Sequence, residues 1–404
     1  MAAVCSHCAE DGYLKKLIRD EGEPGMCDLC QKDRKKTFSA DKLAEVLDPI
    51  IREHFAPGPE VKHFGEDDSE WYEQEGDPLS FHIQEIIGHD LGFEDEIVEA
   101  LVGNEDCDER DGDIPFFDSS QDYVSTPVSP HSYYENWNYV LEDLKHRRRF
   151  FSAAAAELFE TIFEGVETRR WWNKETRSHE KVVWELPEAS ELFRARICDS
   201  SSAIKDALKE PFKQVGPPPP EKARAGRMNV EGVVVFYGST DRETCLAETR
   251  PALGSDTAVI KLRTTKPLRV LDFRRLEDSY GRLSYFQPDF NEQAEKGAFL
   301  RRLQTLISQP IVPGRETDYL ITQTMTEYLA HVHDEPFAGI LFKSVQRSGG
   351  INIVIFPSAD GTFPLTYVDK SFALFTTRSL EYKNHEVYVN LIDDEIWIDR
   401  DDDR

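Results

Sequence analysis

The sequence is short of everything that would mark a membrane protein. Its longest apolar runs, VEGVVVFYG and GINIVIFP, fall well below the roughly 20 residues that a bilayer-spanning helix needs. The opening MAAVCSHCAEDG has no apolar stretch of signal-peptide length, so no membrane association and a cytoplasmic location are expected. Positive charge is scarce as well: 48 Lys and Arg face 76 Asp and Glu, for a formal net charge of −28. A protein that grips a nucleic-acid backbone must supply a basic face, so this balance argues against that function class. A small phosphorylated ligand held by two or three arginines stays compatible with it. The motifs GxxxxGK[ST], HExxH, GxSxG and GxGxxG are all missing, which removes the simplest support for a P-loop enzyme, a zincin, an α/β-hydrolase or a dinucleotide-fold dehydrogenase.

What is present is enough for globular domains, since 39% of the 404 residues are hydrophobic and 11% aromatic. Seven cysteines fall into two kinds. Cys107, Cys198 and Cys245 stand alone, whereas Cys5, Cys8, Cys27 and Cys30 form the pairs CSHC and CDLC, separated by residues 9–26. Two such pairs can converge as four thiolates around one structural Zn2+, and in a reducing compartment disulfides are the weaker alternative. Four cysteine ligands leave no open position on the metal, so its role would be to fold a segment too small to fold alone. His7, inside the first knuckle, reads as a bystander. A local run of Lys15, Lys16, Lys32, Arg34, Lys35 and Lys36 is the sole support for nucleic acid.

After Ser39, a helix cap by residue type, Leu43, Val46, Leu47, Ile50, Ile51 and Phe55 recur at helical spacing. A second helical pattern, from Trp137 through Ile162, predicts one helix over about 133–165 with KHRRRFF on its middle. Residues 60–122 between them hold 22 Asp or Glu against Lys62 and Arg110, and read as solvated surface or flexible loop. Beyond WELPEAS the texture turns to short β-branched strands such as VEGVVVFY, TAVIKL, LRVLDF, GILF and INIVIF. Helices are expected near 241–250, 292–308 and 317–331. QVGPPPPEKARAG reads as an exposed extended loop. The expected architecture is α+β: a zinc knuckle at 1–36, a helical domain with an acidic loop at 37–185, a mixed α/β domain at 186–390 and an acidic tail at 391–404.

Chemistry-bearing residues cluster in three segments of the second half: LFRARICDS with Arg194 and Arg196, GRMNVEGVVVFYGSTDRETCLAETR with Arg227, Tyr237, Ser239 and Glu248, and GILFKS with Ser344. A polar group embedded in apolar strand sequence must find a partner or a ligand. Taken one at a time, Arg194 also reads as an arginine snorkelling to the surface, Glu248 as a solvated helix residue and Ser344 as a backbone-bonded hydroxyl. The stretch FYGSTDRETCLAETR starts as a strand, turns at Gly238–Ser239 and restarts as a helix on the capping-box pattern Thr240-x-x-Glu243. Glu248 then sits three residues beyond Cys245, where a helix that only packed would place an apolar side chain.

In order, FRAR, GRMN, VVFYGSTDRETCLAE, VLDF and GILFKS followed by NIVIF resemble the RES domain. That family is named for an Arg, a Glu and a Ser, and occurs in bacterial toxins that destroy NAD. The resemblance covers about 187–370 and implies an ADP-ribosyltransferase-like fold. The front half is similar to the zinc-bearing helical region, of HEPN/RES N-terminal type, found ahead of some RES domains. The resemblance further implies NAD as substrate, with Arg194, Glu248 and Ser344 catalytic. Arg194, assisted by Arg227, would bind the pyrophosphate, with Arg196 as the competing ligand two residues away on the same face of a strand. Tyr237 would stack on a ring, and Ser239 would contribute to substrate binding. The implied function is an NAD-degrading toxin or defence effector, a glycohydrolase or phosphorylase, restrained by an antitoxin or regulatory protein, with a homo-oligomer as a further expectation. A protein ADP-ribosyltransferase and a non-catalytic zinc-knuckle adaptor that binds a nucleotide or partner are the alternatives.

Overall fold

The computed structural model describes residues 2–399 apart from 65–69, 106–113, 281–282, 309–315, 380–387 and 393–394. Cys107, Arg110 and part of the acidic tail therefore lie outside the described residues. The chain divides into two compact units, one made of Met1–Val182 with Arg275–Leu306, the other of Val183–Arg274 with Ile307–Arg404.

The first unit begins with a three-stranded antiparallel sheet in the order Ala3–Cys5, Lys32–Ser39, Glu23–Cys27. Asp11 caps the helix Gly12–Glu21 by accepting from the amides of Tyr13 and Leu14, and Ser39 caps Ala40–His54 by accepting from that of Lys42. Leu43, Leu47 and Ile51 of the second helix are fully buried, as their spacing predicts. The acidic stretch departs from expectation: its described part holds a hairpin, Glu60–Phe64 with Glu70–Gln74, and the helices Leu79–Ile87 and Glu94–Gly103. Ile83, Ile87, Ile97 and Leu101 from these helices join Val4, Leu14 and Leu43 in one core. Glu94–Gly103 carries four carboxylates, Glu94, Asp95, Glu96 and Glu99, whereas Leu79–Ile87 carries only Glu85, and the acidity of the whole stretch masks a short apolar period in each. Each fully buried side chain of this kind contributes about 1.5–3 kcal/mol, which more than offsets the local like-charge repulsion at the surface.

The single helix expected over 133–165 is two helices, His131–His146 and Ala153–Phe163. Ser152 ends the break by capping the second, its hydroxyl accepting from the Ala155 amide and donating to the buried carboxylate of Asp143. Helix Phe290–Ser308 returns to this unit, with Phe299 stacked at 5.5 Å on Tyr133.

The second unit is built on a nine-stranded mixed sheet. Its order is Val183–Leu186, Leu268–Asp272, Gly339–Lys343, Ile351–Ile355, Phe236–Ser239, Glu191–Cys198, Asp256–Thr264, Leu365–Tyr367, with Ala373–Thr376 also paired to Asp256–Thr264. Leu268–Asp272 and Gly339–Lys343 run parallel; the other pairings of this sheet are antiparallel. The strand read from VEGVVVFY is confined to Phe236–Ser239. Gly232 turns the chain before it at φ 84°, and Val233 is exposed, so hydrophobicity alone overstates the strand. QVGPPPPEKARAG is not a plain extended loop either: Val215 ends a short helix, Val215 and Gly216 are buried, and Pro220–Lys222 form a 3₁₀ turn. A Cβ on Gly216 would collide with the Phe212 carbonyl oxygen, so the chain passes that carbonyl on glycine.

Candidate active site and metal centre

The candidate site forms where Phe236–Ser239 lies between Ile351–Ile355 and Glu191–Cys198. Ser239 is directly opposite Asn352 on one side and Phe193 on the other. The Thr240 amide still donates to the Ile351 carbonyl at 3.1 Å, so Thr240 continues the strand's hydrogen bonding, and it is not the cap expected of it. The cap moves one residue on: Asp241 accepts from the Thr244 amide at 2.8 Å and the Thr244 hydroxyl at 2.7 Å. The seven-residue helix Arg242–Glu248 then turns Cys245 into the packed interior and brings Glu248 to the cavity in its last turn. Burial pushes the Cys245 thiol up to about 12, so it stays protonated at neutral pH and is no nucleophile.

Glu248 is held through one oxygen. Its Oε1 accepts from the Ser344 hydroxyl at 2.6 Å and from the Asn352 amide nitrogen at 2.6 Å. Asn352 is oriented in turn, because the buried Ser239 hydroxyl donates to its Oδ1 at 2.9 Å and so leaves the NH2 end for the carboxylate. The Ser344 oxygen accepts from the backbone amides of Gln346 and Arg347, at 3.2 and 3.1 Å, which fixes its proton toward Glu248. The carboxylate is thereby pinned at Oε1, while Oε2 has no hydrogen-bond partner among the described residues.

A cavity of about 280 Å3 opens beside Glu248, walled by Arg194, Arg227, Tyr237, Ser239 and Asn352. A larger one, about 710 Å3, shares Arg194, Ala195 and Tyr237 with it and adds Arg196, Lys222 and Arg224. Arg194 donates through Nε to the Val215 carbonyl at 2.9 Å and through Nη1 to that of Tyr237 at 2.6 Å, over the face of Phe236. Burial lowers its pKa to about 10, so it keeps its charge at neutral pH. Arg196 is exposed, bonds the Gln214 carbonyl at 2.6 Å and reaches only the larger cavity. Of the two arginines, Arg194 is the one beside Glu248. Arg227 donates to the Ile307 carbonyl at 2.7 Å. The Tyr237 hydroxyl accepts from the Met228 amide and donates to Asn229 Oδ1 at 2.7 Å, and burial pushes its pKa up to about 12.

Arg194, Arg227, Tyr237, Ser239, Glu248 and Ser344 are therefore brought together, with Ser344 turned against Glu248 rather than lining the cavity. Two residues that lie inside the motifs GRMN and NIVIF, but were not named as site residues, complete the arrangement. Asn352 is a lone amide in the buried run INIVI, and that isolation is the sequence feature by which it could have been found. Asn229 bonds the carbonyls of Arg224 and Val233, each at 2.9 Å, and holds the loop that carries Arg227.

In the first unit the sulfur atoms of Cys5, Cys8, Cys27 and Cys30 lie within 4.8 Å of one another. A tetrahedral zinc with bonds of about 2.3 Å has edges of about 3.8 Å, so the four thiols fit the ion with small adjustments. The Cys5 amide donates to Cys27 Sγ at 3.3 Å, and Arg34 donates to Cys30 Sγ at 3.5 Å, a cation that holds the Cys30 thiol down at about 6 and favours the ligating thiolate. His7 is exposed and no member of the group. No helix of the described residues is long and apolar enough to cross a membrane.

No curated protein and no solved structure matches this chain. A family model does: the RES domain, over residues 191–374, the span that runs from the strand of Arg194 through Glu248, Ser344 and Asn352. Residues 191–374 of this chain are a RES domain, preceded by a four-cysteine segment able to bind a metal and by its helices.

Proposed function

We propose that this chain cleaves the bond between nicotinamide and ribose in NAD. The observation that carries this reading is the Glu248 carboxylate, anchored through Oε1 by Ser344 and Asn352 with Oε2 left for a ligand, beside a charged arginine. In the reaction the C1′–N1 bond breaks and its electron pair leaves on nicotinamide, which departs neutral and needs no general acid. Positive charge builds on the ribose, where a fixed carboxylate stabilises it, as carboxylates do in glycoside cleavage. Water then adds to C1′, its proton passing to solvent, to give ADP-ribose. Arg194 with Arg227 would hold the pyrophosphate, the ring of Tyr237 would bound the cavity, and Ser239 would act through Asn352. The expected biological setting is a toxin or defence effector, with the four-cysteine unit and a separate antitoxin as sources of restraint.

The larger cavity across Arg194 favours a second reading, in which a protein or phosphate acceptor takes the ADP-ribose. The test is nicotinamide release from NAD by the purified protein, with and without phosphate, beside Glu248→Gln. Release by the wild type and a loss of about 10²–10³-fold in the variant is expected for charge stabilisation by one group. Adenine-labelled NAD that leaves label on protein identifies transfer in place of hydrolysis. Binding without release under any condition leaves the adaptor.

A further inference from the structure

The break between helices His131–His146 and Ala153–Phe163 has an unusual surface. Arg147, Arg148 and Arg149 are exposed, and none pairs with a carboxylate among the described residues. Next to them Phe150 and Phe151 are 86% and 95% exposed, the two most exposed aromatic side chains among the described residues. The segment is nevertheless built. The amides of Arg147 and Arg148 donate to the Asp143 carbonyl at 2.9 and 2.8 Å, and Ser152 binds the Asp143 carboxylate at 2.9 Å, so the turn is closed and presents its phenylalanines outward. In water such exposure costs free energy and only an occupant recovers it.

The same unit carries a complement. A groove of about 610 Å3 between these two helices and helix Phe290–Ser308 is lined by Tyr133, Tyr139 and Leu158 and by the carboxylates of Glu157, Glu292 and Glu295. No Lys, Arg or His lines it. None of the three glutamates forms an ion pair among the described residues, although Glu295 accepts from Ser132. Unpaired arginines beside bare phenylalanines stand on one surface, and unpaired glutamates around apolar and aromatic side chains on another.

The geometry points to a second copy of this chain as the occupant: the Arg147–Phe151 turn of one protomer seats in the Glu157/Glu292/Glu295 groove of its partner, and the reverse. A two-fold arrangement makes the contact twice, and buried phenylalanines contribute about 150–250 Å2 each, a substantial part of the area a specific interface needs. An anionic membrane or a nucleic acid would also meet the arginines, but either would leave the acidic groove of the same unit unused, whereas a second copy fills both surfaces at once.

Sedimentation velocity of the full-length protein between roughly 1 and 100 micromolar, a range that brackets a moderate dimer affinity, tests this. The wild type is expected to dimerise. Phe150→Ser with Phe151→Ser, and separately Glu157→Lys with Glu292→Lys, should each weaken the dimer at least about tenfold while leaving the circular dichroism unchanged. Reversing Arg147, Arg148 and Arg149 to Glu should also break it, and combining that reversal with the two lysine substitutions should restore it. A wild type that stays monomeric, or a dimer indifferent to both surfaces, overturns the inference. So does flotation with phosphatidylserine vesicles that depends on Phe150 and Phe151, which would assign the turn to a membrane.

Discussion

Two polar clusters of this chain differ in how they are finished. At Cys5, Cys8, Cys27 and Cys30 four equivalent groups converge within 4.8 Å, enough to fill every position of a tetrahedral ion. At Glu248 Oε1 is satisfied by Ser344 and Asn352, Oε2 has no hydrogen-bond partner among the described residues, and the residue borders a cavity. A closed cluster can only stabilise, whereas an open one can meet a ligand. The difference also shows in chain distance. The cysteines come from 26 consecutive residues, Cys5 to Cys30, while the residues gathered at the Glu248 site, Arg194, Ser239, Asn352 and Ser344, come from three strands and the loop after a fourth.

The largest expected effect falls on the closed cluster. Structural zinc supplies on the order of 10 kcal/mol to small domains, so removing one ligand removes a large part of the folding free energy of its segment. Cys27→Ser should abolish the single equivalent of bound zinc and lower the melting temperature of the first unit by well over about 10 °C. One equivalent of zinc in the variant with an unchanged melting curve would break the comparison at its closed end. At the open end the expected loss is in rate. Asn352→Leu removes a donor to Glu248 and strands the Ser239 hydroxyl, and should lower kcat for nicotinamide release by about 10–100-fold with KM changed far less. Asn352→Asp, which restores shape but sets a second negative charge against Glu248, should not rescue it. A variant that raises KM alone would show Asn352 to bind substrate rather than to position the carboxylate.

Legibility follows the same division. The four cysteines and the periodic helix Ala40–His54 are readable because metal spacing and apolar period are local properties of the chain. The ordered RES motifs bring Arg194, Glu248 and Ser344 into view, and the family match covers all three. What escapes depends on pairing across the sheet. Asn352 matters because its register sets it opposite Ser239, which nothing in GINIVIF encodes. The helices Leu79–Ile87 and Glu94–Gly103 are hidden by the acidity of the stretch as a whole, although the first carries only Glu85, and the break at 147–152 by a hydrophobic period that passes through Phe151 although Phe151 is bare.

The smallest effect concerns the hinge between strand and helix that aims Glu248. Burial alone would raise the pKa of Asp241, but the amide and hydroxyl of Thr244, together with Arg347 at 3.0 Å, hold it below the ordinary carboxylate value. A carboxylate with a lowered folded-state pKa stabilises the fold above its unfolded value, about 3.9, and loses that contribution as pH falls through the folded one. Asp241→Ala removes a helix cap at a cost of about 1 kcal/mol, and the cost should be present at pH 7 and shrink toward pH 3. Asp241→Asn keeps an oxygen to cap with and forfeits the charge pairing, so it should recover part of the loss and flatten the pH dependence. Denaturant melts of the three proteins across pH 3–7, read as roughly 1 kcal/mol differences in stability, separate the two contributions. Equal costs at both ends of that range would show that the cap acts without its charge, leaving Glu248 aimed by backbone geometry alone.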